Sequence, residues 1–215
     1  MAGAKMSPVF KGAVRVILGE ILEDVKIRMP NAFEDDLLVC WLSSALRELY
    51  KVLAMREGFT FTAMGGRTIY PLPADIRCDL ISTVVVGGKE LTPRRIGDES
   101  FSNIWFKAVE GYIGIYPALR RGEKITVWYY ARPKPLLTEK EAEKAGISFL
   151  EQEIRLDPDY EEMLKMALCI MIAEAREDVA LANNYKISYN MLLARARQER
   201  YEKDGKYPVT KIVKR

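Results

Sequence analysis

The chain has 215 residues, 49% of them hydrophobic and 29% charged, with a formal net charge of +3. That balance describes an ordinary folded protein rather than a disordered one. It contains no histidine, which excludes Ser-His-Asp triads, Cys-His pairs, HExxH sites and any histidine-ligated metal; GxxxxGK[ST], GxGxxG and GxSxG are also absent.

At the start of the chain, MAGAKMSPVF lacks the apolar run of a signal peptide. The longest apolar stretches fall far short of the ~20 residues a membrane helix needs, so a soluble intracellular product is expected. Val14, Ile17, Leu18, Ile21, Leu22 and Val25 recur at helical spacing and predict a first helix over residues 11–28, ended by Met29-Pro30. Asn31 is placed to cap a second helix with Glu34, Asp35 and Asp36 in its first turn. Leu38, Trp41, Leu42, Ala45, Leu46, Leu49 and Leu53 form its apolar face, which runs to Glu57 before Gly58 stops it.

From Phe59 the period changes to two. FTFTAM and RTIYPLP flank Gly65-Gly66 as one expected hairpin, and LISTVVV and KELTP flank Gly87-Gly88 as a second. A short polar helix is expected over residues 96–103. Two further strands follow, Tyr112 to Tyr116 and Lys124 to Ala131, expected to pair antiparallel across the bend that begins at Pro117. After Pro133 and Pro135, TEKEAEKAG reads as a charged helix ended by Gly146. Asp157-Pro158 is a helix start, an Asp cap followed by Pro, and Met163, Leu164, Ala167, Leu168, Met171, Ile172 and Ala175 continue it at helical spacing. A last helix from Asp178 carries Leu181, Tyr185, Tyr189, Leu192, Leu193 and Ala196, then gives way to the basic tail KDGKYPVTKIVKR.

The expected fold is therefore α+β. A mainly α-helical bundle of about four helices, residues 1–57 and 133–215, is interrupted by a small antiparallel β domain, residues 58–132.

The stretch from Gly111 to Pro133 is rich in aromatics. By strand alternation Ile113, Ile115, Ile125, Val127 and Tyr129 fall on one side, and Tyr112, Tyr116, Trp128 and Tyr130 on the other. Three readings stand for the aromatic side: burial on both faces, a protein–protein interface, and a platform for stacked bases. The third needs a continuous basic groove, and residues 58–132 carry ten Lys/Arg against seven Asp/Glu, too slight an excess. The aromatics therefore read as protein-to-protein contacts, within the insertion or between neighbouring subunits.

No catalytic, metal or cofactor residues are assigned. Asp35-Asp36 and Glu161-Glu162 sit at helix starts, where carboxylates complement the dipole. Cys40, Cys78 and Cys169 form no CxxC pair and read as small hydrophobes in a reducing compartment. Residues 134–178 hold six Lys/Arg against twelve Asp/Glu, and residues 179–215 hold nine against three. Solvated helix faces are the plain reading of this asymmetry; an acidic segment meeting a neighbour's basic end in a head-to-tail contact is the sharper one.

The order of pieces, WLSSALRELY, then IYPLPADIRCDLISTVVVGGKEL, then GYIGIYPALRRGEKITVWYYARP, then LDPDYEEMLKMALCIMIAEAREDVALANNYKISYNMLLARA, resembles the head-to-tail adaptor proteins of tailed bacteriophages. Within them it is similar to the subgroup whose helical bundle is interrupted by a β domain. The resemblance covers the chain from Val14 to Arg197 and rests on element order rather than on one motif.

It implies a non-enzymatic virion structural protein at the head–tail junction, assembled in the host cytoplasm. Twelve copies would form a ring beneath the portal, extending the DNA channel and docking a tail or nozzle protein. It also implies a portal-binding tail, here Tyr207, Val209, Lys211, Ile212, Val213, Lys214 and Arg215, whose alternating residues could add a strand to a partner's sheet edge. Contact with passing DNA would be weak and non-specific. The rival reading is a helical nucleic-acid-binding regulator using Arg195, Arg197, Arg200 and Lys203, or another tail-side virion component.

Overall fold

The computed structural model describes residues 16–95 and 103–204, with side chains described as far as residue 199. In chain order the elements are β1 (Val16–Ile17), α1 (Leu18–Arg28), α2 (Asp35–Val52), β2 (Arg56–Thr62), β3 (Ile69–Pro71), β4 (Ile81–Val86), β5 (Lys89–Glu90) and β6 (Thr92–Arg94). There follow β7 (Ile104–Lys107), β8 (Tyr112–Tyr116), β9 (Lys124–Tyr130), α3 (Glu139–Ala145), β10 (Glu153–Ile154), α4 (Glu161–Ala175) and α5 (Val179–Asp204). The described residues divide into two compact units, 54–132 and 16–53 with 133–204.

In the helical unit, the sequence periodicity becomes a shared core. Leu18, Ile21, Leu22 and Val25 of α1, Leu38, Leu42, Leu46 and Leu49 of α2, and Met163, Leu164, Leu168 and Ile172 of α4 are all buried. α4 lies between them, packed on α1, α2 and α5. The short strands β1 and β10 pair antiparallel within this unit.

Local chemistry sets the helix ends. The Glu141 carboxylate accepts from the Thr138 N–H at 2.9 Å and its hydroxyl at 2.8 Å, and Gly146 closes α3 with φ +68°. Asp157 accepts from the Asp159 N–H at 3.2 Å and caps a single 3-10 turn, Pro158–Tyr160, that leads into α4. Asp178 accepts from the Leu181 N–H at 3.0 Å and starts α5.

One largely buried ammonium ties α1 to α4. Lys165 bonds Asp24, and lies 2.7 Å from Glu161. Burial works against its charge, but the hydrogen bonds to Asp24 and Glu161 outweigh it and hold its pKa above the ordinary lysine value. The same bond, with the Lys165 charge, holds the Asp24 carboxyl below its usual range. The raised Lys165 contributes stability that is present below its unfolded pKa, about 10.4, and is lost as pH rises through the folded value. The depressed Asp24 contributes stability that is present above about pH 3.9 and is lost as pH falls through its folded value. Urea midpoints measured against pH should therefore fall on both flanks, and Lys165→Met should flatten both falls. An unchanged pH profile in that variant would contradict this assignment.

The other unit is built from two four-stranded sheets, ordered β2-β9-β4-β5 and β3-β8-β7-β6. Ile113, Ile115, Tyr70 and Trp105 from one sheet and Ile125, Val127, Val84 and Tyr129 from the other share a single buried core. The β4–β5 turn has positive φ at both Gly87 and Gly88, +55° and +83°, as a tight hairpin of this hand requires.

Several expectations are corrected. The chain is not mainly a helical bundle of about four helices: its described residues form five α-helices and three sheets with ten strands, about 44% helical and 23% strand. Nor is the β unit purely antiparallel, since β6 and β7 run parallel. The two-residue strands β1 and β10 are too short to show a period, and so left no trace in the hydrophobic pattern.

The segments flanking Gly65-Gly66 do not pair with each other; β2 pairs with β9, and β3 with β8. β8 and β9 are likewise in different sheets. Val16–Ile17, expected as helix, is strand β1. The second helix starts at Asp35, because the Asn31 side chain closes a local turn instead, donating to the Met29 carbonyl at 2.9 Å and accepting from the Phe33 N–H at 3.1 Å. It ends at Val52, and Arg56 and Glu57 already belong to β2. Residues 11–15, 96–102 and 205–215 lie outside the described residues.

Candidate functional site

Strand alternation places the inner residues of both sheets in the shared core and turns the intervening ones outward. On β9 the outward residues are Lys124, Thr126, Trp128 and Tyr130; on β8 they are Tyr112, Gly114 and Tyr116. The four aromatics singled out in the sequence therefore do not come together. They divide between the outer faces of two different sheets, because the loop after Tyr116 carries the chain from one sheet to the other. That loop is held by the 63–66 turn, with the Gly122 N–H donating to Ala63 O at 3.0 Å and the Gly66 N–H to Leu119 O at 3.3 Å.

Burial on both faces is not what the fold provides. Tyr112 is 41% exposed, Trp128 42% and Tyr130 37%, while Tyr116 is half-buried. On the β9 side these rings belong to an ordered surface. Arg56 is the cross-strand partner of Tyr130, and its guanidinium lies 5.5 Å from that ring's centroid. Gly58 is the partner of Trp128, and the indole lies across it: a Cβ there would stand 3.1 Å from the ring. The next pair, Thr60 and Thr126, joins hydroxyls at 3.0 Å. Two aromatics, an arginine and flanking threonines thus form an open, amphipathic patch with the composition of interface anchors.

The outer face of the other sheet carries Tyr112 with Ile69, 48% exposed. There the Phe106 ring covers Gly114 so closely that a Cβ would come within 2.2 Å of it.

The carboxylate pairs weighed as acids or bases are held in the helical framework. Asp35 pairs with Lys26 at 2.5 Å, and Asp36 accepts from the Glu139 N–H at 2.7 Å. Glu161 pairs with Lys165, and Glu162 meets the Arg28 guanidinium through both carboxylate oxygens. Among the cysteines, Cys169 is fully buried, and burial pushes its thiol pKa up, away from nucleophilic character. Among the described residues no group of three or more Cys, Asp or Glu could hold a metal ion, and no helix is long and apolar enough to cross a membrane.

α5 keeps its stripe against α4, with Ala182 and Ala196 buried and Tyr185, Tyr189, Leu192 and Leu193 half-buried. Of the cations proposed to enter a nucleic-acid groove, Arg195 pairs with Glu199 on its own helix at 2.8 Å; the side chains of Arg200 and Lys203 lie outside the description. So does the whole tail segment Tyr207, Val209, Lys211, Ile212, Val213, Lys214 and Arg215.

Sequence reasoning missed Arg56 and Gly58. Both were read as the end of a helix, and the signal for them was a glycine in register with a tryptophan on a partner strand, which only the pairing reveals.

No curated protein matches the chain significantly. A family model described as SU10 adaptor protein matches residues 17–210, taking in both compact units, and on that match the chain belongs to this family of phage head–tail adaptors.

Proposed function

We propose that the protein forms a ring of twelve copies beneath the phage portal, extends the DNA channel and docks the tail. Family membership supports the adaptor role. The observation that carries the assembly reading is the open face of Arg56, Trp128 and Tyr130, whose opposite side is a closed core. A monomer gains nothing from leaving two large rings some 40% in water, whereas an interface uses them as anchors.

In this reading the inserted β domain, residues 58–132, offers the docking faces and the helical portion builds the ring body. The work is done by geometry and adhesion, with no chemical step. Passing DNA meets only weak, salt-sensitive and sequence-blind contact, since a conduit must let it slide. The rival use of α5 as a groove reader finds little support, because its aromatic stripe is spent on packing against α4.

The tail from Tyr207 to Arg215 is proposed to engage the portal by adding a strand to a sheet edge. A chain ending at Gly205 should unfold at the same temperature as the full chain and bind portal rings of the same genome roughly tenfold more weakly, about 1.4 kcal/mol. Equal binding by the truncated chain would overturn the assignment of the tail.

A further inference from the structure

Two apolar patches on the helical unit stand open and differ in charge. The first lies on α5, on the side away from Tyr185 and Tyr189. Ile187 and Met191, one turn apart, are 61% and 70% exposed. Residues 186–199 carry three cations, Lys186, Arg195 and Arg197, against one carboxylate, Glu199; Lys186 pairs with Glu174 of α4 at 2.7 Å and Arg195 with Glu199 at 2.8 Å, which leaves a modest positive excess. The second is the turn that follows α3, where Ile147 and Leu150 are 48% and 50% exposed. Residues 139–153 carry five carboxylates against two lysines, and Glu143 and Glu151 are exposed beside the apolar pair.

The second patch is preorganised. Gly146 closes α3, the Gln152 side chain bonds the backbone of Leu137 and Phe149, and the Gly19 N–H donates to Leu150 O at 2.9 Å. A turn fixed in this way loses little freedom when a partner covers it.

We propose that the outward face of α5 in one copy docks on the 143–151 turn of a second copy, Ile187 and Met191 against Ile147 and Leu150, with Arg195 on one flank of that face and Arg197 on the other reaching Glu143 and Glu151. This rests on the ring reading and gives it its subunit contact. The two patches are different parts of one surface, so the contact is heterologous and propagates around a closed ring instead of stopping at a dimer. Charge complementarity favours this pairing over α5 against α5, which would set the arginines of two copies beside each other. The apolar pairs give the contact its adhesion, and the charges give it register.

Two full-length variants test it, Arg195→Glu with Arg197→Glu, and Glu143→Lys with Glu151→Lys. Copies bound per portal ring are counted by native mass spectrometry beside the unaltered chain. Each variant alone should lose ring formation by at least about tenfold, through like-charge contact at every interface. An equal mixture should regain it, with the two variants present in equal numbers, because each one's altered patch then meets its complement. Undiminished rings from either variant, or a mixture that fails to recover, would overturn the contact while leaving the ring reading intact. If the unaltered chain forms no ring on the portal, the ring reading and this contact fall together.

Discussion

Replacing Gln152 with leucine should lower the stability of the helical unit by about 3 kcal/mol, among the largest effects available to a single substitution outside the apolar core. Gln152 is 8% exposed, and its amide makes three hydrogen bonds. Its Nε2 donates to the carbonyls of Leu137 at 2.8 Å and Phe149 at 3.0 Å, and its Oε1 accepts from the Leu137 N–H at 2.8 Å.

Leucine has a similar volume, so packing changes little. What changes is that three main-chain groups lose their partner, each at roughly 1 kcal/mol or more. The consequence reaches further than the turn, since the Gln152 carbonyl also accepts from the Leu18 N–H at 3.0 Å, where α1 begins. Urea unfolding followed by the helical circular dichroism signal measures the loss. A shift below about 0.5 kcal/mol, the size of an ordinary surface change, would show that the turn is held by other means.

The second large effect falls on assembly instead of folding. Trp128→Ala should leave the isolated chain folded, about 1 kcal/mol less stable, because the side chain is already 42% exposed and has only part of its burial to lose. Its affinity for the assembled junction should fall roughly 30-fold, the 2 kcal/mol expected of an anchor at an interface centre. Tyr130→Ala should act in the same direction and also release Arg56, whose guanidinium lies over that ring. Titration of portal rings with each variant, beside a thermal melt of each, separates the two readouts. If both variants bind as the unaltered chain does, the outer face of the β9 sheet is not an interface.

Much of the fold was legible because local chemistry decided it. Gly146 ends one helix, Gly87-Gly88 closes a tight turn, and Asp178 opens α5 with a side-chain bond. The misreadings share a different cause. Alternation tells which residues of a strand share a side, and it did so correctly for Ile113 and Ile115 on β8 and for Ile125 and Val127 on β9. It does not tell which strands pair.

A short loop can close a hairpin or cross between sheets, and the one after Tyr116 crosses. The aromatics were therefore correctly grouped strand by strand, and incorrectly assembled into a single face. At Arg56 and Glu57 the helical pattern of α2 ran on into residues that the β9 strand claims through long-range pairing, a tertiary preference that outweighs local propensity.

The most direct test of the proposed assembly is native mass spectrometry of the full chain mixed with portal rings from the same genome, at low and at moderate salt. A single complex is expected, a portal ring carrying a fixed, symmetric number of copies, twelve by the family resemblance. Portal rings that remain bare at both salt concentrations, with the chain in excess, would contradict it.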